Sequence, residues 1–411
     1  MQVFFSVGEP SGDLHGANLI EALKRRNPDW EYVGYGGPRM AAAGCQLHAD
    51  LTQLAVMWVA QVLWNIRKFL KLLADADQFF QQQRPDLVVL IDYPGFNWWI
   101  ARKAKAQGIP VVYYGTPQLW AWAGWRVSKM RRFVDHVLCK LPFEEAWFRQ
   151  RGCQATFVGH PYFDELRSRK LDQAFVESQL ASEEPLVTIL PGSRTQEVKS
   201  NLAPFLQTAK RIQRQVPKVR FAIAVYKSAQ LELVNELVDQ SGLPVEIHVD
   251  RTAELIHAAR CCLACSGSVS LELLYHTKPS AILYQISKFG YFVQWMLRKI
   301  RYITLVNLLT AEDPFADRSA GIYDPDDPRD QHVLMPEYLT YGDRTTELAQ
   351  HVVGWLTDDT LYANVQGKLS QLKSQVAQGG ASERAAEYIS TMVISTKVLL
   401  HNASHPRSDA A

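Results

Sequence analysis

Gln2-Val3-Phe4-Phe5-Ser6-Val7-Gly8-Glu9-Pro10-Ser11-Gly12-Asp13-Leu14-His15-Gly16-Ala17 opens the chain with an apolar run, an acidic glycine-punctuated turn and the start of a helical pattern. Gln2–Val7 predicts a buried strand, and Leu14–Arg26 predicts the helix after it. A turn joining such a pair lies at the carboxyl end of the strand, where α/β folds receive ligands. This one carries two carboxylates, a serine and a histidine, and its glycines let the backbone approach a ligand closely.

Outward from this stretch the same alternation continues. Strand-like runs recur at Glu31–Tyr35, Leu87–Ile91, Val111–Tyr114, Val134–Cys139 and Ala155–Val158, with helical patterns such as Trp98–Gln107 between them. A polar stretch from Asp164 to Pro185 predicts a linker with one helix. The alternation then restarts with strand-like Leu186–Leu190, Arg220–Val225, Val245–His248, Arg260–Cys265 and Ser280–Tyr284. Helical patterns at Val198–Gln215, Ala229–Gln240, Ala253–Ala259 and Val269–His276 separate them. Strands alternating with helices imply parallel sheets covered on both faces. The fold expected is α/β, with two Rossmann-like doubly wound domains facing across a cleft and helices at the C-terminus. The expected domains are 1–165 and 166–380, the latter with an Asp- and Pro-rich insertion at 310–343. A helix over 381–400 is expected to pack back on the first domain, and 401–411 to be a disordered tail.

Composition narrows the classes of function. The chain has 411 residues, 47% of them hydrophobic, which suits folded cores and excludes wholesale disorder. A formal net charge of +2 gives nucleic-acid binding no support. Six cysteines in a chain this long are no disulfide scaffold. No basic, apolar leader opens the chain and no run of eighteen apolar residues occurs, so the expectation is a cytoplasmic protein with reduced thiols.

Several loops hold residues of chemical interest. Pro191-Gly192-Ser193-Arg194 ends a strand-like run and precedes a helix, where backbone N–H groups favour an anion and Arg194 adds a bidentate donor. The alternative is an ordinary capped turn. Cys265-Ser266-Gly267-Ser268 repeats that placement, with Glu272 one turn into the next helix. Glu272 could accept from ribose hydroxyls or simply complement the helix dipole. Asp92 ends the run Leu87–Ile91, a position suited to a general base. It could equally cap the next helix or pair with a structural arginine. Trp120 and Trp122 suit a sugar groove or core packing. Cys262-Leu263-Ala264-Cys265 lacks a second pair at zinc spacing and reads as core. Asp324-Pro325-Asp326-Asp327 reads as turn chemistry rather than a metal site. Two segments, 54–73 and Lys288–Lys299, are aromatic, apolar and basic, which fits core packing or contact with a lipid surface.

Taken together, these motifs resemble the lipid-A-disaccharide synthase family, inverting glycosyltransferases of the two-Rossmann (GT-B) type. The resemblance rests on GEPSGDLHGA at 8–17, VGYGGPRMAAAGC at 33–45, LAVMWVAQVL at 54–63 and IDYPGFN at 91–97. It continues through WAW at 120–122, LPFEEAWF at 141–148, GHP at 159–161, LPGSRTQEV at 190–198, SGSVSLE at 266–272 and Val306-Asn307-Leu308-Leu309. It implies transfer from UDP-2,3-diacylglucosamine to 2,3-diacylglucosamine 1-phosphate, giving a β-1,6-linked disaccharide and UDP. It implies no cofactor and no metal. Asp92 would be the base, with Glu9 positioning the acceptor or sharing that role. Ser193, Arg194, Glu197, Ser266, Gly267, Ser268, Glu272 and Asn307 would hold the donor. Ser11, Asp13, Met57, Trp58, Val62 and Phe69 would meet the acceptor and its acyl chains. The implied location is the inner face of a bacterial inner membrane, peripherally bound, with no nucleic-acid partner. Another UDP-sugar enzyme of this fold, an N-acetylglucosaminyltransferase or an epimerase, is the alternative. The chain departs from the family pattern at Pro10, at Gly95, at Thr116-Pro117-Gln118, and in the delay of Met335-Pro336-Glu337 by the insertion.

Overall fold

A computed structural model describes residues 1–55, 66–315 and 323–404. The chain divides into two compact units, Met1–Asp164 with Gly379–Ala411, and Glu165–Gln378.

The first unit is built on strands β1 (Gln2–Val7), β2 (Glu31–Gly36), β3 (Gln46–Asp50), β4 (Leu87–Ile91), β5 (Val111–Tyr114), β6 (His136–Cys139) and β7 (Ala155–Phe157). They form one parallel sheet in the order β3-β2-β1-β4-β5-β6-β7. Each of β4, β5 and β6 is buried along its whole length, as a sheet covered by helices on both faces requires. The order reverses direction between β1 and β4, and ligands of open α/β sheets bind at such a switch point. The register pairs Val7 with Ile91, so Glu9 and Asp92 leave the sheet at the carboxyl ends of adjacent strands.

Helix Ala381–Ser404 completes this unit. Ala385, Ala386, Ile389 and Val393 are buried in one core with Leu19, Ile20 and Leu23 of helix Pro10–Arg26. Its start is held by Asp164, whose carboxylate accepts from the N–H groups of Gly380, Ala381 and Ser382 at 2.6, 3.3 and 3.0 Å. Further along, Tyr388 stacks on His136 at 4.1 Å and bonds its Nδ1 at 2.7 Å.

The second unit has β8 (Leu186–Leu190), β9 (Arg220–Val225), β10 (Glu246–Val249), β11 (Cys261–Cys265), β12 (Ser280–Gln285) and β13 (Glu337–Thr340). Their order is β10-β9-β8-β11-β12-β13, all parallel, with the switch point between β8 and β11. The register pairs Leu190 with Ala264, which brings the turns after β8 and β11 side by side.

The structure corrects several expectations. The first helix begins at Pro10, not Leu14, so Ser11 and Asp13 lie in its first turn rather than in a loop. Proline at the first helical position has the required φ and lacks an N–H that would be unpaired there anyway. Two edge strands, β3 and β13, are additional to the predicted runs. β3 (Gln-Leu-His-Ala-Asp) has no β-branched residue, and β13 carries a buried glutamate in four residues. The predicted linker holds two helices, Tyr162–Ser168 and Gln173–Leu180. The 310–343 insertion is not all loop, since it delivers β13 to the sheet. The last helix runs to Ser404, so 401–404 are helical rather than a disordered tail.

Candidate active site

In the first unit the switch point is built around Asp92. Both Asp92 and Tyr93 adopt left-handed backbone, at φ 46° and 44°. Such conformations cost energy in residues other than glycine and persist only where the surroundings enforce them. Here two side chains hold the Asp92 carbonyl: Tyr113 donates its O–H at 2.5 Å and Asn97 its amide at 2.8 Å. Asn97 is fully buried and also bonds Ser6 and the Ile91 carbonyl, which ties the turn after β4 to β1. Tyr93 lies directly over Gly8, where a Cβ would stand 2.3 Å from its ring. Only glycine allows that approach.

The carboxylate of Asp92 faces Lys140 Nζ at 3.3 Å, with the two side chains 18% and 14% exposed. Lys140 follows β6 directly. Burial works to lower its pKa, but the charges of Asp92, Glu144 and Glu9 outweigh this and raise it above the usual lysine value. Asp92 therefore neither caps a helix nor meets an arginine; its partner is a buried, protonated lysine. Glu144 is itself fixed by the Lys140 and Leu141 N–H groups and by the Trp120 indole at 2.9 Å. That bond and 1% exposure make Trp120 a core residue. His15 lies in the same neighbourhood, buried, with Nδ1 unpartnered among the described residues. Burial lowers its pKa to about 4, against the pull of Asp92. His160, 6.5 Å from His15 ring to ring, is lowered further by burial and by Lys140. Glu9 is half-buried at the N-terminus of helix Pro10–Arg26.

The other acceptor-side residues divide. Ser11 is exposed in the first helical turn. Asp13 is 3% exposed, and its carboxylate accepts from the N–H groups of Gly37, Arg39 and Met40 at 2.8–3.1 Å. These bonds cap the next short helix, Pro38–Ala42. Phe69, on helix Ile66–Gln83, packs on Phe96 with ring centroids 5.9 Å apart. Met57, Trp58 and Val62 lie outside the described residues.

In the second unit the turn after β8 places Gly192 at φ 130°, where an added Cβ would fall 2.4 Å from that of Glu197. Arg194 caps helix Thr195–Gln215. Glu197 accepts from its backbone N–H at 3.1 Å and its guanidinium at 3.0 Å, while the Arg194 side chain stays 80% exposed. Glu197 thus orients the arginine rather than contacting an anion itself. Ser193 is fixed through its carbonyl by the buried Gln230 amide. Next to this turn, Ser266 donates to the Ile303 carbonyl, while Gly267 and Ser268 are exposed. The result is an open turn pair with one projecting guanidinium and serine hydroxyls, a donor set suited to a diphosphate.

Two donor-side residues lie deeper. Glu272 is 3% exposed and pairs with Arg169 at 2.6 Å. Asn307 is fully buried; its amide donates to the Met335 carbonyl and Glu337 and accepts from the Met335 N–H. These bonds seat helix Leu305–Thr310. Asp327 and Asp330 of the Asp-rich loop are ion-paired to Arg301. Among the described residues no group of His, Cys, Asp and Glu could hold a metal ion. Cys262 and Cys265 are buried, and burial lifts both thiols to about 12, which makes them inert core residues.

Lys140 and His15 are the residues that reading the sequence for sites missed. Lys140 was findable by the rule that selected Asp92, since it too follows a buried strand directly.

A family model described as Lipid-A-disaccharide synthetase matches residues 3–320. A Lipid-A-disaccharide synthase of Myxococcus xanthus is 31% identical over 391 residues, covering 94% of this chain and 96% of its own. One of Coxiella burnetii is 30% identical over 394 residues, with 96% and 99% covered. Among solved structures, the UDP-GlcNAc 2-epimerase of Neisseria meningitidis superposes with a TM-score of 0.59 at 11% identity, covering 96% of this chain and all of that one. That likeness establishes the shared fold alone, whereas the family match spans both switch points: the chain belongs to the lipid-A-disaccharide synthase family.

Proposed function

We propose that this protein transfers a diacylglucosamine unit from its UDP conjugate to the 6-hydroxyl of 2,3-diacylglucosamine 1-phosphate, with inversion at the sugar C1. The observation that carries the reading is the pairing of Asp92 with Lys140 in a strained, over-determined turn at a switch point. The Lys140 ammonium fixes the direction of this carboxylate, and a general base must be within hydrogen-bond reach of the hydroxyl it activates. Asp92 takes the acceptor proton as the oxygen bonds to C1 and the C1–O bond to the diphosphate breaks. Glu9, at the adjacent strand end, positions the acceptor. The leaving diphosphate gains charge, and Arg194 with the Ser266–Ser268 turn stabilises it. Glu272 holds the nucleoside once Arg169 yields it.

Both substrates carry acyl chains, so the enzyme works at a lipid surface without spanning it. No helix among the described residues is long and apolar enough to cross a membrane. Helix Lys288–Leu297 supports peripheral contact: Phe289, Phe292, Trp295 and Met296 are 76%, 54%, 64% and 49% exposed on an element with no buried residue. Lys288 and Lys299 flank them. Arg298 does not join this basic edge, because it is buried and bonds the Arg301 carbonyl. An amphipathic face of this kind suits an anionic bilayer surface. The decisive experiment measures UDP release with acylated and deacylated forms of both substrates. Turnover confined to the acylated pair is expected; equal turnover on deacylated sugars, or none on either, would overturn the proposal.

A further inference from the structure

A second basic site lies in the Glu165–Gln378 unit, away from the turns after β8 and β11. A cavity of about 770 Å³ is lined by Arg167, Arg169, Lys170, His276, Lys278 and Lys373, and no carboxylate lines it. His276 and Lys278 precede β12, so the cavity sits at the amino-terminal edge of the sheet. The diphosphate-binding turns proposed above are at the opposite, carboxyl edge.

The cations that line this cavity contrast with several arginines elsewhere in the unit that meet carboxylates. Arg220, Arg251 and Arg260 meet Glu246, Asp172 and Asp359 at 2.7, 2.8 and 2.5 Å. Among the described residues no carboxylate pairs with Arg167, Lys170, Lys278 or Lys373. Lys278 donates to the Ala259 carbonyl at 2.8 Å, and Lys373 stands 4.4 Å over the Tyr275 ring. Burial lowers the pKa of both lysines, the response of a desolvated cation without a counter-charge. His276 is held near 4 by burial and by the positive groups around it. With a formal net charge of only +2 on the whole chain, such a concentration is local rather than compositional. The wall also stores strain: Thr277 takes a left-handed conformation at φ 52°, which is unfavourable for a β-branched residue.

We infer that this cavity binds a phosphate-bearing anion, with Arg167 as the forked donor and Lys278 and Lys373 as point charges. Arginine matches phosphate geometry bidentately, and the compact ammonium groups neutralise the remaining charge. An anion there removes the desolvation cost of the lysines, which is the physical source of its affinity. Arg169 already serves Glu165 and Glu272, both at 2.6 Å, and contributes mainly by its field. The phosphate comes either from a soluble compound or from a phospholipid headgroup.

The test uses the full chain, pyrophosphate as the soluble probe, and phosphatidylglycerol vesicles with phosphatidylcholine vesicles as reference. Calorimetric titration of pyrophosphate into the wild type, the Arg194→Ala variant and the Arg167→Gln/Lys373→Gln variant separates the two anion sites. Binding is expected in the wild type and in Arg194→Ala. It should weaken by about tenfold or more in the double variant, because two charge-assisted contacts are lost. Should that variant fail to fold by circular dichroism, Arg167→Gln/Lys170→Gln, which alters only exposed side chains, replaces it. Vesicle binding lost in the double variant, without pyrophosphate binding in the wild type, assigns the phosphate to a lipid headgroup and supports the site. Pyrophosphate binding with vesicle binding insensitive to the variant assigns a soluble ligand and also supports it. Binding of neither probe, binding of both unchanged in the double variant, or pyrophosphate binding lost in Arg194→Ala overturns it.

Discussion

Asp92→Asn is the sharpest perturbation of the proposed chemistry, because the replacement keeps the shape and suits the left-handed backbone at this position. Two separable effects follow. The first is on stability. At 3.3 Å and an effective dielectric constant of about 20, the gross attraction between Asp92 and Lys140 is roughly 5 kcal/mol. Desolvation of both groups offsets most of that, and Glu144 remains near Lys140 in the variant. A net loss of about 1–3 kcal/mol is therefore expected, below the 3–5 kcal/mol typical of a fully buried pair losing one partner. The second effect is on turnover. Loss of a general base lowers kcat by about 10²–10⁴-fold, while UDP affinity should stay within about twofold. Lys140→Met makes the pair diagnostic. Lys140 acts through Asp92, so adding Lys140→Met to Asp92→Asn should cost no further activity, and the double variant should be more stable than the two single losses summed. Stopped-time UDP release, UDP calorimetry and urea unfolding on the four proteins complete the cycle. Turnover above about a tenth of wild type in Asp92→Asn would refute Asp92 as the base. A double variant slower by the product of both single effects would refute the positioning role of Lys140.

Other expectations follow from the same geometry. Arg194→Ala should raise the donor KM and lower kcat, together about 10²-fold in kcat/KM, since the diphosphate gains charge in the transition state. Its melting temperature should hardly move, because the exposed Arg194–Glu197 pair contributes at most about 1 kcal/mol; unchanged donor kinetics would remove Arg194 from the site. Gly192→Ala should destabilise by about 2–4 kcal/mol through positive φ and collision with Glu197, and an unaltered urea midpoint would contradict that. His15 is held near pKa 4 against an ordinary value of 6.5, so the unfolded chain binds its proton first as pH falls. Its contribution is intact above pH 6.5 and lost on descent towards 4, with a slope of at most about 1.4 kcal/mol per pH unit per proton. His15→Gln should flatten that part of the urea-stability profile, and an identical profile would rule His15 out. Phe292→Ser with Trp295→Ser should cut sedimentation with anionic vesicles without altering the fold; undiminished binding would exclude this helix as the membrane face.

Much of the architecture was legible in the sequence because buried parallel strands and amphipathic helices obey local periodicities. The runs at β1, β4, β8 and β11 are mostly apolar, and a right-handed crossover leaves the chain little choice but to lay them parallel. Once they are parallel, the turns holding Glu9, Asp92, Arg194 and Ser266–Ser268 must share the carboxyl edges of their sheets. The edge strands β3 and β13 were illegible for the complementary reason: each is short and borrows its strand character from a neighbour already in place.

Tertiary structure decided which polar residues remain available for chemistry. Asp13 and Asn307 sit in motifs as conspicuous as that of Asp92, yet groups 24–30 residues away in sequence hydrogen-bond them. Asp92 is different because its main chain is restrained by Asn97 and Tyr113 while its carboxylate meets Lys140, 48 residues on. The sequence by itself determined where ligand-facing turns would emerge, since that follows from strand direction. Only packing could decide which carboxylate stays open, because that depends on which donors the folded chain delivers to each oxygen.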